Sequence, residues 1–275
     1  GDLYEEIVEA IHVEYVTRSG RMVSETQTAC VLMLYFDLIK PEFRNRILET
    51  LELNIGAHHN HLTTGFVGTP YLCHCLSENG LHGLADEDFP GWLYAVKKGA
   101  TTIWERWNSI LPNGDFDESG MNSLNHYAYG SIGSWLYEKV AGIRCMEPGY
   151  KKIRIQPTLT KGMTEVSATY ESIYGTIVSA WSCREGKICV DVQIPVNTTA
   201  VIQLPEKEAE FTVGSGRYHY EYKTDTNLKF EKYSLESTLG ELVAEELGRS
   251  MFEEMVPGML EDPLIKFALS MTISD

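Results

Sequence analysis

The sequence predicts a mixed α and β, multi-domain chain in which helices come first, an antiparallel β-sandwich follows, and helices return at the end. Three observations carry this. Apolar residues keep helical spacing through most of the first 141 positions. After Gly142 the pattern changes to period-two alternation broken by turn residues. From Thr238 an apolar stripe at helical spacing returns.

In the first part, Leu3, Ile7, Ala10 and Ile11 share one helical face up to Arg18-Ser19-Gly20, a natural stop. Ser24 fits the N-cap of a second helix, with Gln27 at the third helical position completing a capping box. The apolar run from Ala29 to Ile39 halts before Pro41. A third helix fits Pro41 to Ile55, with proline in its first turn and Gly56 after its end. Further helices fit about Pro70 to Glu78, Pro90 to Lys98 and Leu124 to Ala141. The connections between them are long and rich in Gly, His, Thr and aromatic residues, as binding loops are.

Strands are expected over Lys152–Gln156, Val166–Tyr170, Thr176–Cys183, Lys187–Ile194, Thr199–Leu204 and Arg217–Tyr222. Gly162, Tyr174-Gly175, Glu185-Gly186 and Pro195 punctuate them. In the last part Thr238-Leu-Gly-Glu241 is a capping-box signature, and a second helix fits Pro263 to Met271. The expected domains are 1–145, 146–232 and 233–275.

Composition narrows the function. The chain has 275 residues, 43% apolar and 11% aromatic, and a formal charge of −16. Residues 231–275 carry ten acidic and three basic side chains. An acidic surface repels phosphate backbones and anionic lipid, so nucleic acid and membranes are not expected partners. A neutral ligand fits, as does a charge that serves solubility alone. No apolar run approaches the roughly 18 residues of a membrane span. Gly1-Asp-Leu-Tyr-Glu-Glu6 lacks the basic and apolar regions of a signal peptide. Six cysteines without a C-x-x-C pair, several in apolar runs, favour reduced thiols and a cytoplasmic location over a disulfide framework.

The densest chemistry lies in Gly99-Ala-Thr-Thr-Ile-Trp-Glu-Arg-Trp-Asn108. Glu105 stands between the indoles of Trp104 and Trp107. Flat aromatic rings stack on the apolar face of a sugar, and a carboxylate moves protons. Glu105 equally fits a surface carboxylate paired with Arg106. Further on, His126 sits at the centre of Met121-Asn-Ser-Leu-Asn-His-Tyr-Ala-Tyr-Gly130. With Asn122, Asn125, Tyr127 and Tyr129 it suits hydrogen bonding to hydroxyl groups, or the packed start of an ordinary helix. His58, His59 and His61 fall in a Gly/Thr-rich loop without a nearby carboxylate, which favours a solvated or ligand-contacting loop over a metal site. Asn197-Thr-Thr199 matches a glycosylation acceptor, a pattern short enough to arise by chance.

These segments, with Thr26-Gln-Thr-Ala29, Thr64-Gly-Phe-Val-Gly-Thr-Pro70, Leu76-Ser-Glu-Asn-Gly80, Pro90-Gly-Trp-Leu-Tyr94 and Tyr174-Gly-Thr-Ile-Val-Ser-Ala-Trp181, together resemble the bacterial α-L-rhamnosidases of glycoside hydrolase family 78. The resemblance implies an (α/α)6 barrel followed by a C-terminal β-domain, inverting hydrolysis of terminal α-L-rhamnosides, and no cofactor. It implies Glu105 as general base, Trp104 and Trp107 lining or supporting the pocket, and His126 with Asn125 meeting the sugar hydroxyls.

The family's general acid belongs to an upstream Asp-Glu-Arg-x-Gly-Trp type segment, which this sequence does not contain. About six barrel helices fit, where the full barrel needs twelve. The expectation is therefore the second half of a barrel plus the sandwich, inactive alone and prone to homo-oligomerise through helix faces left exposed. Another (α/α)6-barrel glycosidase, or a non-catalytic carbohydrate-binding module, would also fit the aromatic residues.

Overall fold

The computed structural model describes residues 1–58, 61–111, 113–118, 120–228, 238–244, 246–261, 265–269 and 271, with backbone alone at 84–91, 241, 244, 246, 247, 261, 266 and 267. Two compact units result, Gly1–Leu228 and Lys229–Asp275.

The first unit begins with α1, Asp2–Tyr15, whose buried residue is His12; its ring accepts a hydrogen bond from Lys40 N–H at 3.1 Å. The expected apolar stripe of α1 forms but meets the core only at its C-terminal end: Ile11 packs against the core, while Leu3 is 70% and Ile7 48% exposed. Helix α2, Gln27–Tyr35, starts later than expected. Thr26, not Ser24, is its N-cap, accepting from Ala29 N–H at 3.3 Å. The expected capping box does not form, because Gln27 turns its amide inward to other backbone groups. A short 3-10 turn, Pro41–Phe43, leads into α3, Arg44–Ala57, which continues through Gly56. Helix α4, Thr69–Glu78, buries Leu72 through Leu76 without a break and packs against both α2 and α5. Helix α5 runs from His82 to Lys97, so Pro90 lies inside it rather than opening it.

The helix expected from Leu124 begins only at Ala128. It passes from a 3-10 turn, Ala128–Ser131, through α6, Ile132–Trp135, to a π-helical turn, Leu136–Val140. The residues before Ala128 cannot be helical because their backbone pairs elsewhere: His126 N–H donates to Ile103 O at 2.8 Å, and the Thr102 hydroxyl donates to Leu124 O.

Two four-stranded sheets follow. Their strands are β1 Ile143–Cys145, β2 Lys152–Ile155, β3 Glu165–Ser172, β4 Gly175–Arg184, β5 Lys187–Ile194, β6 Thr199–Gln203, β7 Glu210–Val213 and β8 Gly216–Lys223. One sheet has the order β1-β2-β6-β7, the other β3-β4-β5-β8. All pairs are antiparallel except β2 with β6, which run parallel. Strands β1 and β7, three and four residues long, are not among the strands expected from the sequence. Strand β4 shows the expected pattern, with Ile177, Ser179, Trp181 and Cys183 buried and intervening residues half-exposed.

Helices and sandwich share one core. The joint is made by polar groups of β4 that cap the last helical turn. Trp181 Nε1 donates to Val140 O at 2.8 Å, and Ser179 Oγ donates to Ala141 O at 2.6 Å. These satisfy carbonyls that a helix end leaves unpaired. Gly142 then turns the chain at φ 77°, where any Cβ would come within 2.2 Å of the Gln156 carbonyl carbon. A second polar chain ties α4 to the same region. Trp135 Nε1 donates to Ser77 Oγ at 2.8 Å, Ser77 lies 2.8 Å from His82 Nδ1, and His82 Nε2 lies 3.2 Å from Thr160 Oγ1. Ser77 thus accepts from Trp135, and the His82 ring bridges the Ser77 and Thr160 hydroxyls. Exposed Glu78 pairs with buried Lys139 at 2.8 Å beside it.

The second unit is a small helical cluster. Helices α7 Leu239–Ala244, α8 Glu246–Met255 and α9 Ile265–Ala268 surround Leu242, Val243 and Phe252. Backbone bonds from Leu239 N–H to Met271 O and from Gly240 N–H to Leu269 O close it. Helix α7 begins one residue after Thr238, as expected; Pro263, where the last helix was expected to start, lies outside the described residues.

Two outcomes follow for stability. Trp181→Phe leaves the Val140 carbonyl buried without its donor and should cost about 1–3 kcal/mol; an unchanged thermal midpoint would contradict the capping role. Burial, helped by Lys139, pushes the His82 imidazole down to about 4 from 6.5. An unfolded chain then binds more protons than the folded one between those values, so stability falls as pH drops from 6.5 to 4. His82→Gln should flatten that slope in thermal unfolding; an equal slope in variant and parent would refute the assignment.

Candidate functional site

The two motif segments meet through their backbones. Glu105 N–H donates to Ser123 O at 2.8 Å, and the Glu105 carboxylate accepts from Ser123 N–H at 3.2 Å. Ile103 O receives the His126 N–H. Two loops without regular secondary structure thus lie antiparallel, holding Glu105 and His126 in neighbouring places. Beyond Glu105 the chain reverses around fully buried Ser109, whose hydroxyl donates to Arg106 O at 3.1 Å. Arg106 pairs with Asp117 at 3.0 Å. The alternative reading of Glu105 as the ion-pair partner of Arg106 is therefore not what the structure shows. Among the described residues the half-buried Glu105 carboxylate makes no ion pair.

Glu105 lines a cleft of about 410 Å³. One wall is the loop His61–Phe66, the other Glu105–Asn108, with Met121 and Tyr129 completing it. The Trp107 ring is held on two sides, by His61 at 4.4 Å and by the Tyr94 ring edge-on at 5.5 Å. Glu105 is the one carboxylate among the described lining residues. Trp104, 5% exposed, faces an adjoining apolar groove of about 420 Å³ with Trp92, Val96 and Ile132. Trp107, Arg106 and Tyr129 border both spaces.

His126 adjoins the cleft through Phe66, their rings 6.1 Å apart, and stacks on Tyr127 at 5.0 Å. Its Nδ1 accepts from Ala128 N–H at 3.2 Å, which leaves the proton of a neutral ring on Nε2 as a donor. Asn125 is exposed; its N–H donates to Ser123 Oγ at 3.3 Å. The structure thus places Glu105 and Trp107 in the cleft, Trp104 in the adjoining groove and His126 beside Phe66 at the margin, while Asn125 is exposed next to His126 and is not among the described lining residues. Such an arrangement offers a carboxylate that can take a proton, an aromatic face and a hydrogen-bond donor.

Sequence reasoning missed Phe66, Met121 and Gln27 as parts of this site. The first two stand in segments that carry the family resemblance but have no chemistry that singles them out there, and Gln27 reads as a helix-capping residue. Of the loop histidines, His58 Nδ1 lies 2.8 Å from Asn54 O and His61 is stacked, while His59 lies outside the described residues. Among the described residues no group of three or more His, Cys, Asp or Glu side chains could hold a metal. No helix among them is long and apolar enough to cross a membrane.

Comparison with known proteins agrees over both parts of the first unit. Residues 1–140 match the bacterial alpha-L-rhamnosidase 6 hairpin glycosidase domain, and residues 142–219 match the bacterial alpha-L-rhamnosidase C-terminal domain. An alpha-L-rhamnosidase of Formosa agariphila is 40% identical over 215 residues, 76% of this chain and 23% of that protein. One from Streptomyces avermitilis is 39% identical over 209 residues, 74% of this chain and 20% of that protein. The crystal structure of a Streptomyces avermitilis α-L-rhamnosidase complexed with L-rhamnose superposes with a TM-score of 0.75 at 36% identity, covering 81% of this chain and 24% of that one. That of an Aspergillus terreus α-L-rhamnosidase gives 0.75 at 34% identity, covering 80% and 26%. The chain thus spans about a quarter of the length of the relatives it matches. With a helical glycosidase half and a β-domain matched in order, the chain belongs to the bacterial α-L-rhamnosidase family.

Proposed function

We propose that this chain supplies the general-base side of an inverting glycoside hydrolase that releases terminal α-L-rhamnose. The observation that carries the proposal is the Glu105 carboxylate. It lies in a cleft beside Trp107, accepts a hydrogen bond from Ser123 N–H, and is not neutralised by Arg106, which is taken by Asp117. In this reading Glu105 activates the attacking water, Trp107 stacks on the sugar face with Trp104 supporting from behind, and His126 and Asn125 donate to the sugar hydroxyls. That relatives are α-L-rhamnosidases, one of them bound to L-rhamnose, supports the choice of sugar.

An inverting reaction needs two carboxyl groups about 6.5–9.5 Å apart, an acid for the leaving oxygen and a base for water. Glu105 alone among the described cleft-lining residues is a carboxylate, so the acid has to come from outside them. The domain reading is 1–145 for the half barrel, 146–232 for the sandwich and 233–275 for a helical extension. Six free cysteines support a reducing, cytoplasmic setting. Exposed Leu3, Ile7 and Val13 on α1 and Leu53 on α3 support self-association.

Three outcomes test this. The 275-residue chain should bind L-rhamnose weakly in ligand-observed NMR, and Glu105→Ala should weaken binding about tenfold or more; equal binding by both would remove Glu105 from the site. The same chain should give no turnover of an aryl α-L-rhamnoside, since the general acid is worth roughly 10²–10⁴-fold; measurable hydrolysis would overturn that division of roles. Light scattering should show species larger than one chain, and a strict monomer would count against the exposed faces as contact surfaces.

A further inference from the structure

We propose that Gln27 is a positioning residue for the cleft: through the loop it clamps, it sets the His61 ring against Trp107. This rests on the reading of the cleft as the sugar site. Gln27 is fully buried on the first turn of α2. Its Nε2 donates to His61 O at 3.1 Å, and its Oε1 accepts from Thr63 N–H at 2.7 Å. One planar amide thus bridges two backbone groups of the loop that forms a whole wall of the cleft. Both partners come from an irregular loop with no ladder of its own, so the amide substitutes for a strand neighbour.

The same turn of α2 grips the loop a second time. Gly68 comes so close that a Cβ there would stand 2.9 Å from Thr28 Oγ1 and 3.1 Å from Thr64 Cγ2. Buried Thr69 completes the hold by donating to Thr64 O at 3.1 Å and lying 2.9 Å from the Thr64 hydroxyl. With the backbone at 61–69 fixed at these points, the His61 side chain leaves its Cα in one direction and meets the Trp107 face at 4.4 Å. The Thr26-Gln-Thr-Ala29 segment therefore does two jobs. Thr26 caps the helix, while Gln27 and Thr28 shape the cleft wall.

The ring shift of His61 reads this geometry directly. In the isotope-labelled 275-residue chain, its ring protons, assigned through His61→Gln, should lie upfield of an exposed histidine because of the Trp107 face. Gln27→Met removes both bonds and should move them to the exposed position. Gln27→Glu keeps the Thr63 N–H acceptor, loses the donor to His61 O, and should fall between. Should Gln27→Met fail to fold by circular dichroism, Gln27→Glu carries the test. Thr26→Ala weakens the helix cap and should lower the thermal midpoint without moving the ring protons. L-rhamnose affinity should fall in the order parent, Gln27→Glu, Gln27→Met, by about tenfold or more overall. Unmoved ring protons in a folded Gln27 variant, or the same movement in Thr26→Ala, would overturn the proposal. Ring protons that respond to Gln27 in a chain that does not bind L-rhamnose would uphold the clamp and sink the sugar-site reading instead.

Discussion

The antiparallel apposition of two loops, 102–105 and 123–126, is the constraint on which the site depends. Neither loop belongs to a helix or a sheet, and each would wander alone. Four hydrogen bonds between them, given by the N–H groups of Glu105, Ser123 and His126 and the hydroxyl of Thr102, join residues about twenty apart. Because these bonds consume the backbone at Leu124 and His126, the following helix starts only at Ala128. Because Ser123 N–H reaches the Glu105 carboxylate, that side chain is aimed by its own neighbour rather than by a cation.

What surrounds this joint follows from ordinary packing. Helix α4, buried along most of its length, forms the axis against which α2 and α5 lie. The N-terminal turn of α2 then reaches the loop opposite Glu105. The sandwich stands on the other side, fastened where Trp181 and Ser179 of β4 cap the carbonyls of Val140 and Ala141. That cap is a shared interest of both layers: the helix end gains donors, and two polar groups in a buried strand gain acceptors. A buried indole N–H or hydroxyl without a partner would otherwise cost more than its packing returns.

Much of this was legible in the sequence, for definable reasons. Strand β5 matches its expectation residue for residue, because Ile188, Val190, Val192 and Ile194 alternate with polar neighbours. The switch at Gly142 shows in both period and turn chemistry. Glu105 stood out because tryptophans flank it. What failed to show was tertiary pairing. Spacing points to Ser24 as the cap of α2, since Gln27 imitates a capping box; only the fold reveals that its amide serves His61 and Thr63. Periodicity starts the next helix at Leu124, too early for the same reason, as it does not record that a backbone is already engaged. Trp104 and Trp107 look equivalent in sequence, yet one is buried behind the cleft and the other lines it.

Hydrogen exchange at two amides tests the central joint most directly. If the loops are paired as described, the N–H groups of Glu105 and His126 exchange far more slowly than an unstructured peptide, despite lying in segments without regular structure. Exchange of both at unprotected rates in an otherwise folded chain would mean that the two loops do not meet, and the cleft around Glu105 would have no basis.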